Sequence, residues 1–132
     1  MASSSNSFFK GSQGVKELND KDFSFEKGIW RLESDRCTAV LFYAPWCTFC
    51  QGVKEEWMKF GENMRSKGGL EVAALNCEEY QDVVRKIRSD MVAIQSYPTM
   101  IVFHKGVPER QIGYGDRTAK IFEKECINLC RN

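Results

Sequence analysis

The sequence lacks a strong charge of either sign, a long apolar run and, almost entirely, histidine. Its 132 residues carry 19 basic and 18 acidic side chains, interspersed along the chain, for a formal net charge of +1. Nucleic acids and anionic membrane surfaces attract clustered basic side chains, so this balance predicts neither kind of partner. With one histidine, His104, any metal site would depend mainly on cysteines.

The absence of long apolar runs bears on the membrane and on secretion. No run approaches the ~20 residues of a membrane-spanning helix, and Phe8 and Phe9 do not form the continuous apolar core of a secretion signal. We expect neither feature within this sequence. Residues 1–7 also fit the trimmed start of a mature secreted protein. The compartment is therefore left open between the cytoplasm and the secretory or endoplasmic reticulum lumen, with the lumen favoured.

Length and patterning predict one α/β domain. Residues 1–14 are rich in Ser, Gly and Asn and are predicted to be a flexible leader, followed by a domain over residues 15–132. The order βαβαβαββα implies a central mixed sheet of about five strands, first parallel and then antiparallel, with helices on both faces. The predicted strands and helices are an edge strand at 14–19, a helix from Asn19 or Asp20 to about Glu33, a strand at 37–44, a helix from Cys47 to about Ser66, strands at 70–76 and 99–104, a helix at 78–87, a strand at 110–115 and a helix at 118–130.

Two cysteines follow directly on a buried strand. The run Cys37–Ala44 is almost wholly apolar, β-branched or aromatic, and Cys47 falls where the next helix begins. The positive end of a helix favours a cysteine thiolate, and Cys50 lies nearly one turn further on the same face. This spacing predicts that Cys47 attacks a substrate disulfide and that Cys50 resolves the mixed disulfide, or that the cycle runs in reverse.

Two other uses of these cysteines remain open. A metal site needs two further ligands, for which Cys126 and Cys130, or His104, are candidates. A structural disulfide between Cys47 and Cys50 would close only a short loop, and long loops gain more from such a bond.

Several segments resemble the thioredoxin superfamily. "FYAPWCTFC" resembles its active-site segment, and "YAPWC" is most similar to the catalytic domains of protein disulfide isomerases. "SYPTMIVF" is similar to the cis-proline loop of the family, and "YGDRT" resembles the isomerase stretch before the last helix. "EVAALNCEE" is also similar to the first thioredoxin-like domain of quiescin sulfhydryl oxidases. The resemblance covers about residues 15–130 and implies a thioredoxin fold.

The resemblance also implies roles for residues around the dithiol. Pro98 is expected to be cis, with the Tyr97 backbone pairing with a bound substrate strand, and Trp46 is expected to flank the site. Arg117 matches an isomerase arginine that approaches the buried cysteine and lowers its pKa, although an ordinary solvated arginine is the equal alternative. No cofactor is needed. A reductase or a flavin sulfhydryl oxidase is expected to regenerate the cysteines.

The sequence departs from the family at two places. Leu41 stands where the family has a buried acid, and Ala74 stands where that acid has its lysine companion, so both halves of a buried ion pair are apolar here. Thr48 and Phe49 lie between the cysteines, where isomerases have Gly-His. Without that histidine we expect a less oxidising couple. Thr48 and Phe49 are also expected to contact the substrate, Phe49 through apolar contact with extended chains.

The remaining cysteines are given structural roles. Cys77 is interpreted as a buried thiol that packs as a small apolar residue. In the thioredoxin fold the last helix runs away from the active site, which brings Cys126 and Cys130 towards Cys37. A disulfide from Cys37 to one of them is a hypothesis.

The predicted function is dithiol-disulfide exchange on protein substrates by a monomer. The alternative is a redox-silent module that holds extended polypeptides in the same groove, through Trp46, Phe49 and Tyr97. The direction of exchange is left open because it depends on the redox potential and on the recycling partner.

Overall fold

The computed structural model describes residues 8–26, 29–87, 94 and 96–130. Over these ranges it contains seven strands and three α-helices. The strands are β1 Val15–Glu17, β2 Phe23–Glu26, β3 Ile29–Leu32, β4 Thr38–Tyr43, β5 Glu71–Asn76, β6 Thr99–His104 and β7 Val107–Ile112. The helices are α1 Thr48–Lys67, α2 Gln81–Ile87 and α3 Ala119–Ile127.

Five strands form the central mixed sheet, in the order β1-β5-β4-β6-β7. Strand β5 runs parallel to both β1 and β4, whereas β6 runs antiparallel to β4 and to β7. Every residue of β4 is buried, as its apolar sequence predicts for a central strand covered on both faces. The predicted thioredoxin fold is confirmed.

Helices cover both faces of the sheet. On one face the core contains residues of α1 and α3, with the Trp57 and Phe122 rings 5.0 Å apart. On the other face α2 contributes Val83, Val84 and Ile87 to a second core. Trp57, fully buried, also donates its indole N–H to the Ala73 carbonyl at 3.0 Å, which ties α1 to β5.

The predicted first helix, from Asn19 or Asp20 to about Glu33, is wrong. Among the described residues of this stretch, one 3-10 turn forms, at Asp20–Asp22, and an antiparallel β2–β3 pair follows it. Apolar residues of this stretch occupy alternate positions, as in strands. In the β2–β3 pair, Phe23 lies opposite Leu32, and Phe25 lies opposite Trp30. The buried side chains of this pair join the α2 face of the core, where Trp30 meets the Phe103 ring at 5.4 Å.

The turn before β7 is also shorter than predicted. The predicted strands at 99–104 and 110–115 leave residues 105–109 for the turn, whereas the turn occupies only Lys105 and Gly106, which both have positive φ, at 54° and 83°. Two such residues suit the tight hairpin turns whose twist matches that of the strands. Strand β7 therefore begins at Val107, and Pro108 lies in it beside a register shift.

The first described residues pack on the domain. Phe8 and Phe9 are buried, and the Phe8 ring stacks on the Tyr43 ring at 4.3 Å. Residues 1–7 of the predicted leader lie outside the described residues. The division into a leader of 1–14 and a domain of 15–132 stays a prediction, but two aromatic residues of that leader belong to the core.

A disulfide joins the residue before the central strand to the turn that follows the last helix. Cys37 is bonded to Cys130, with their Cα atoms 5.6 Å apart. The bond ties residues 93 positions apart and lies at the end of β4 where the chain enters the sheet. The hypothesis that Cys37 pairs with Cys126 or Cys130 is confirmed for Cys130.

Candidate active site

The dithiol lies where β4 ends and α1 begins. A turn follows β4, closed by a hydrogen bond from the Cys47 amide to the Ala44 carbonyl at 3.0 Å. Cys47 is the N-cap of α1, and its Sγ accepts a hydrogen bond from the Cys50 amide at 3.2 Å. The sulfur therefore takes the place that a serine or aspartate oxygen commonly occupies at a helix start. A negative charge at this place is stabilised by the helix dipole.

The two thiols differ in access and in acidity. Cys47 is 6% exposed, whereas Cys50 is fully buried. Burial first, and then the contact with Cys47, raises the pKa of Cys50 to about 12, although a backbone hydrogen bond from Ala44 lowers it. Cys50 is therefore protonated at neutral pH. Cys47 is the thiol that an incoming disulfide can reach.

The Tyr97–Pro98 segment lies directly against the dithiol. The Tyr97–Pro98 peptide bond is cis, as the resemblance implied. The Cys47 Sγ lies 3.6 Å from the Tyr97 carbonyl oxygen, to which the thiol donates. The Trp46 ring meets the Tyr97 ring edge to face at 6.3 Å. Residues from two distant parts of the chain thus border the same sulfur atom.

Aromatic side chains near the dithiol are turned to solvent. Trp46 is 64% exposed and Phe49 is 73% exposed, and Thr48 beside Phe49 is exposed as well. Large apolar surfaces left in water beside a reactive group are typical of binding sites.

The apolar replacement of the buried ion pair is accommodated in the sheet. Leu41 and Ala74 are register partners on adjacent strands, and both are fully buried. Ala74 has a second register partner, Glu17 of the edge strand β1. Leu41 stands where the family has a buried acid. The same row of the sheet therefore carries a different carboxylate, that of Glu17, two strands away.

Glu17 is a partly buried acid that sequence reasoning missed. Both of its carboxylate oxygens accept from the Tyr43 hydroxyl, at 3.1 and 3.2 Å. Burial raises the pKa of Glu17 to about 7, against the lowering effects of Tyr43 and of the Phe9 backbone. The only sequence signal was the position of an acid in an edge strand, which ordinarily faces water.

Arg117 lies in the loop before α3, as its sequence position predicts. It is exposed, and its Nε donates to the Gly113 carbonyl at 3.0 Å. The neighbouring groups that raise or lower the pKa of Cys50 are Cys47, Ala44 and Cys77. The role of Arg117 in tuning Cys50 stays a prediction.

The cysteines proposed as further metal ligands do not join the dithiol. Cys130 is bonded to Cys37. Cys126, a residue of α3, is buried in the core against which Cys130 packs. Within the described parts of the chain, no group of three or more His, Cys, Asp or Glu side chains is arranged to hold a metal ion. The metal alternative that uses Cys130 is therefore wrong.

Comparison with known families identifies the chain. The thioredoxin family profile matches residues 14–125. The chain belongs to the thioredoxin family. Among the described helices of this thioredoxin-family chain, none is long and apolar enough to cross a membrane.

Its relatives of known name include disulfide isomerases. The chain is 33% identical over 97 residues to Protein disulfide isomerase-like 2-1 of Oryza sativa subsp. japonica, covering 74% of this chain and 24% of that protein. It is 28% identical over 135 residues to Protein disulfide-isomerase A6 of Homo sapiens, covering 95% of this chain and 29% of that protein. The thioredoxin-family chain thus spans about a quarter of the length of these relatives.

Solved structures share the fold at lower identity. The Trx4 domain of ERdj5 has a TM-score of 0.71 at 23% identity, with 90% of this chain and 97% of that chain covered. Human ERp44 has a TM-score of 0.70 at 19% identity, with 89% of this chain and 33% of that chain covered. At these identities the likeness establishes the fold alone.

Proposed function

We propose that this thioredoxin-family domain exchanges disulfides with protein substrates through Cys47 and Cys50. The observation that carries the proposal is the unequal pair at the start of α1: Cys47, which is 6% exposed and whose sulfur accepts a backbone N–H, and Cys50, which is fully buried and whose amide supplies that N–H. Membership in the thioredoxin family and similarity to named disulfide isomerases support it.

The reaction proceeds in two exchange steps. The Cys47 thiolate attacks one sulfur of the substrate disulfide, the bond to Cys47 forms, and the other substrate sulfur leaves as a thiolate. Cys50 then loses its proton and attacks the Cys47 sulfur, which releases the second substrate thiol and leaves a Cys47–Cys50 disulfide. Two electrons and two protons pass to the substrate. Substrate oxidation is the same sequence in reverse.

Deprotonation of Cys50 is expected to limit the second step. Burial holds the pKa of Cys50 at about 12, so only a small fraction of this thiol is ionised at neutral pH. The fully buried Leu41 cannot accept its proton. We therefore propose that the mixed disulfide is long-lived, unless Arg117 moves towards Cys50 and stabilises its thiolate.

The proposal assigns substrate contacts to the residues around the dithiol. Tyr97 and Pro98 orient the substrate backbone, and Trp46, Thr48 and Phe49 border the reacting disulfide.

We propose the lumen of the secretory pathway or endoplasmic reticulum as the compartment, because a disulfide such as Cys37–Cys130 persists in oxidising surroundings. A reductase or a flavin sulfhydryl oxidase then restores the dithiol, and no cofactor is needed in this chain.

Trapping of the mixed disulfide tests the proposal. Cys50→Ser is expected to accumulate a covalent adduct with a disulfide-bonded protein substrate, and dithiothreitol should dissolve it. A Cys47→Ser, Cys50→Ser double variant is the matched control and should form none. An adduct of equal yield in the double variant would refute the role of Cys47.

The alternative is a module that binds extended polypeptides without redox chemistry. The observation that favours it is the exposure of Trp46 and Phe49, 64% and 73%. If Cys47→Ser binds unfolded polypeptide and suppresses its aggregation as the wild type does, while the wild type shows no exchange, this function replaces the first.

A further inference from the structure

A cavity adjoins the dithiol on the side of α2. Its volume is about 290 Å³, and Trp46 and Tyr97 form its wall on the side of the active site. The Tyr97 carbonyl is 3.6 Å from the Cys47 Sγ. Because consecutive Cα atoms are about 3.8 Å apart, a substrate residue next to the cysteine that reacts with Cys47 is within reach of Tyr97, which lines this cavity.

The cavity has an apolar floor and a polar rim. Ala44, Cys77 and Val84 line it and are buried. Glu78, Gln81 and Arg85 also line it, and all three are exposed. A lysine or arginine side chain has this division, since its methylene stem packs on apolar surface while its charged end stays in water.

The charges at the rim favour a cationic side chain. Arg85 forms an ion pair with Asp82 one turn earlier on α2, so its charge is offset. Glu78 has no ion pair with any residue in the described ranges. Glu79 adds negative charge from an adjacent cavity that Glu78 also lines.

We propose that this cavity selects substrates with a lysine or arginine next to the reacting cysteine, with Glu78 as the specificity-determining residue. The inference rests on the proposed disulfide exchange and names a class of substrate for it. The apolar floor receives the stem of the side chain, and the Glu78 carboxylate attracts its charged end.

Matched peptide substrates test this selection. Mixed-disulfide peptides carry lysine, norleucine or glutamate on each side of the cysteine in turn, and kcat/KM is measured at low salt. Norleucine keeps the apolar stem of lysine without its charge. On one side of the cysteine we expect kcat/KM for lysine to exceed that for norleucine by about two- to fivefold, the range for one exposed charge pair. Glutamate should be the poorest, and added salt should reduce the preference.

Variants at the rim of the cavity distinguish a local contact with the Glu78 carboxylate from a general electrostatic effect of nearby negative charge. Glu78→Gln should bring the lysine-to-norleucine ratio close to one. Glu79→Gln makes the same change of charge one residue away, outside this cavity, and should leave the ratio within about 1.5-fold of wild type. Arg85→Gln removes the competing cation and should raise it.

Each outcome separates the cavity from the underlying reaction. Equal kcat/KM for lysine and norleucine peptides, or an equal response to Glu78→Gln and Glu79→Gln, would overturn the role of this cavity while the exchange reaction stands. A preference for glutamate or norleucine would assign the cavity to another class of substrate and overturn the proposal. The absence of exchange with any peptide would instead refute the proposed function.

Discussion

The two ends of strand β4 carry two cysteine pairs of different character. Cys37 comes just before the strand and is bonded to Cys130, whereas Cys47 and Cys50 follow the strand and are not bonded to each other. The same element thus connects a closed disulfide to an open dithiol. Because both pairs adjoin one strand and one core, their difference must come from the length of chain that each bond closes and from what surrounds each sulfur.

Sequence separation is the first difference. The Cys37–Cys130 bond spans 93 positions, and a disulfide that closes so long a loop removes much entropy from the unfolded chain. A bond between Cys47 and Cys50 would close a loop of two residues and contribute little of this kind. One pair is suited to hold the fold, and the other can open and close at small cost to it.

The position on a helix is the second difference. Cys47 caps the N-terminus of α1, where the backbone supplies an N–H to its sulfur. Cys126 lies near the C-terminal end of α3, where the dipole opposes negative charge. Burial first, and then Glu125, raises the pKa of the Cys126 thiol to about 12. Helix polarity and burial thus favour reaction at one end of the domain and suppress it at the other.

The sharpest way to break this comparison is to remove one sulfur from each end. Cys47→Ser is expected to lower the rate of disulfide exchange by about 100-fold or more, because it removes the attacking atom. The double variant Cys37→Ser, Cys130→Ser should keep the exchange rate per folded molecule within about twofold of wild type, since the two sulfurs it removes contact no substrate. Reduction of a peptide disulfide, scaled by the folded fraction from circular dichroism, measures both. Equal losses would contradict the division of roles.

Stability should respond in the opposite way. Cys37→Ser with Cys130→Ser is expected to lower the free energy of unfolding by about 2–5 kcal/mol, because the unfolded chain regains the entropy of a long loop. Urea denaturation measures this change, with Cys47→Ser as the control expected to change stability far less. A loss below about 1 kcal/mol for the double variant would contradict a structural role for this disulfide.

A partly buried carboxylate on the edge strand β1, that of Glu17, should also affect stability through its titration. The pKa of Glu17 is raised from 4.5 to about 7, so the unfolded chain releases this proton at lower pH than the folded one. Stability is therefore lost as pH rises from about 4.5 to 7 and then levels off. Glu17→Gln should remove this loss, which is on the order of 1 kcal/mol after allowance for partial exposure.

Urea denaturation of wild type and Glu17→Gln at pH 5 and pH 8 measures the effect. The free energy of unfolding of the wild type should fall, relative to that of Glu17→Gln, between the two values. Glu55→Gln, at an exposed position of α1, is the matched control and should parallel the wild type. A difference between wild type and Glu17→Gln that does not change with pH would show that Glu17 ionises normally.

The smallest effect is expected at Cys126. Cys126→Ala removes a fully buried sulfur and should lower the free energy of unfolding by about 1 kcal/mol, while exchange activity stays within about twofold. Alkylation of the native protein followed by mass spectrometry should modify Cys47 well before Cys126. Early modification of Cys126 would contradict its burial at the unreactive end.

Much of the sheet and the dithiol was predictable from local sequence. Strand β6 has the predicted bounds, Thr99–His104, and the continuous apolar run of β4 indicated a central strand. The position of Cys47 followed from the change of hydrophobic period between β4 and α1. These features are encoded by neighbouring residues, and so a single sequence was enough to predict them.

The wrong helix came from a misread local pattern, whereas the missed features depend on contacts between distant residues. The β2–β3 pair was predicted as a helix, although Phe23 and Phe25, and then Trp30 and Leu32, alternate with the period of a strand. The rise in the pKa of Glu17 requires Tyr43 and Phe9 to be brought beside it by the fold. The α2-side cavity likewise joins Trp46 and Tyr97 to α2 only in three dimensions.

An equilibrium redox titration of the whole domain in glutathione buffers is the most direct test of the difference between the two ends. Mass labelling of thiols assigns each cysteine, and Trp46 fluorescence follows the active site. Cys47 and Cys50 are expected to titrate together as one reversible two-electron couple, with a midpoint more reducing than about −180 mV because no histidine separates them. Cys37 and Cys130 should stay bonded throughout. Failure of Cys47 and Cys50 to form a reversible couple, or opening of Cys37–Cys130 before them, would contradict the assignment of redox chemistry to the start of α1.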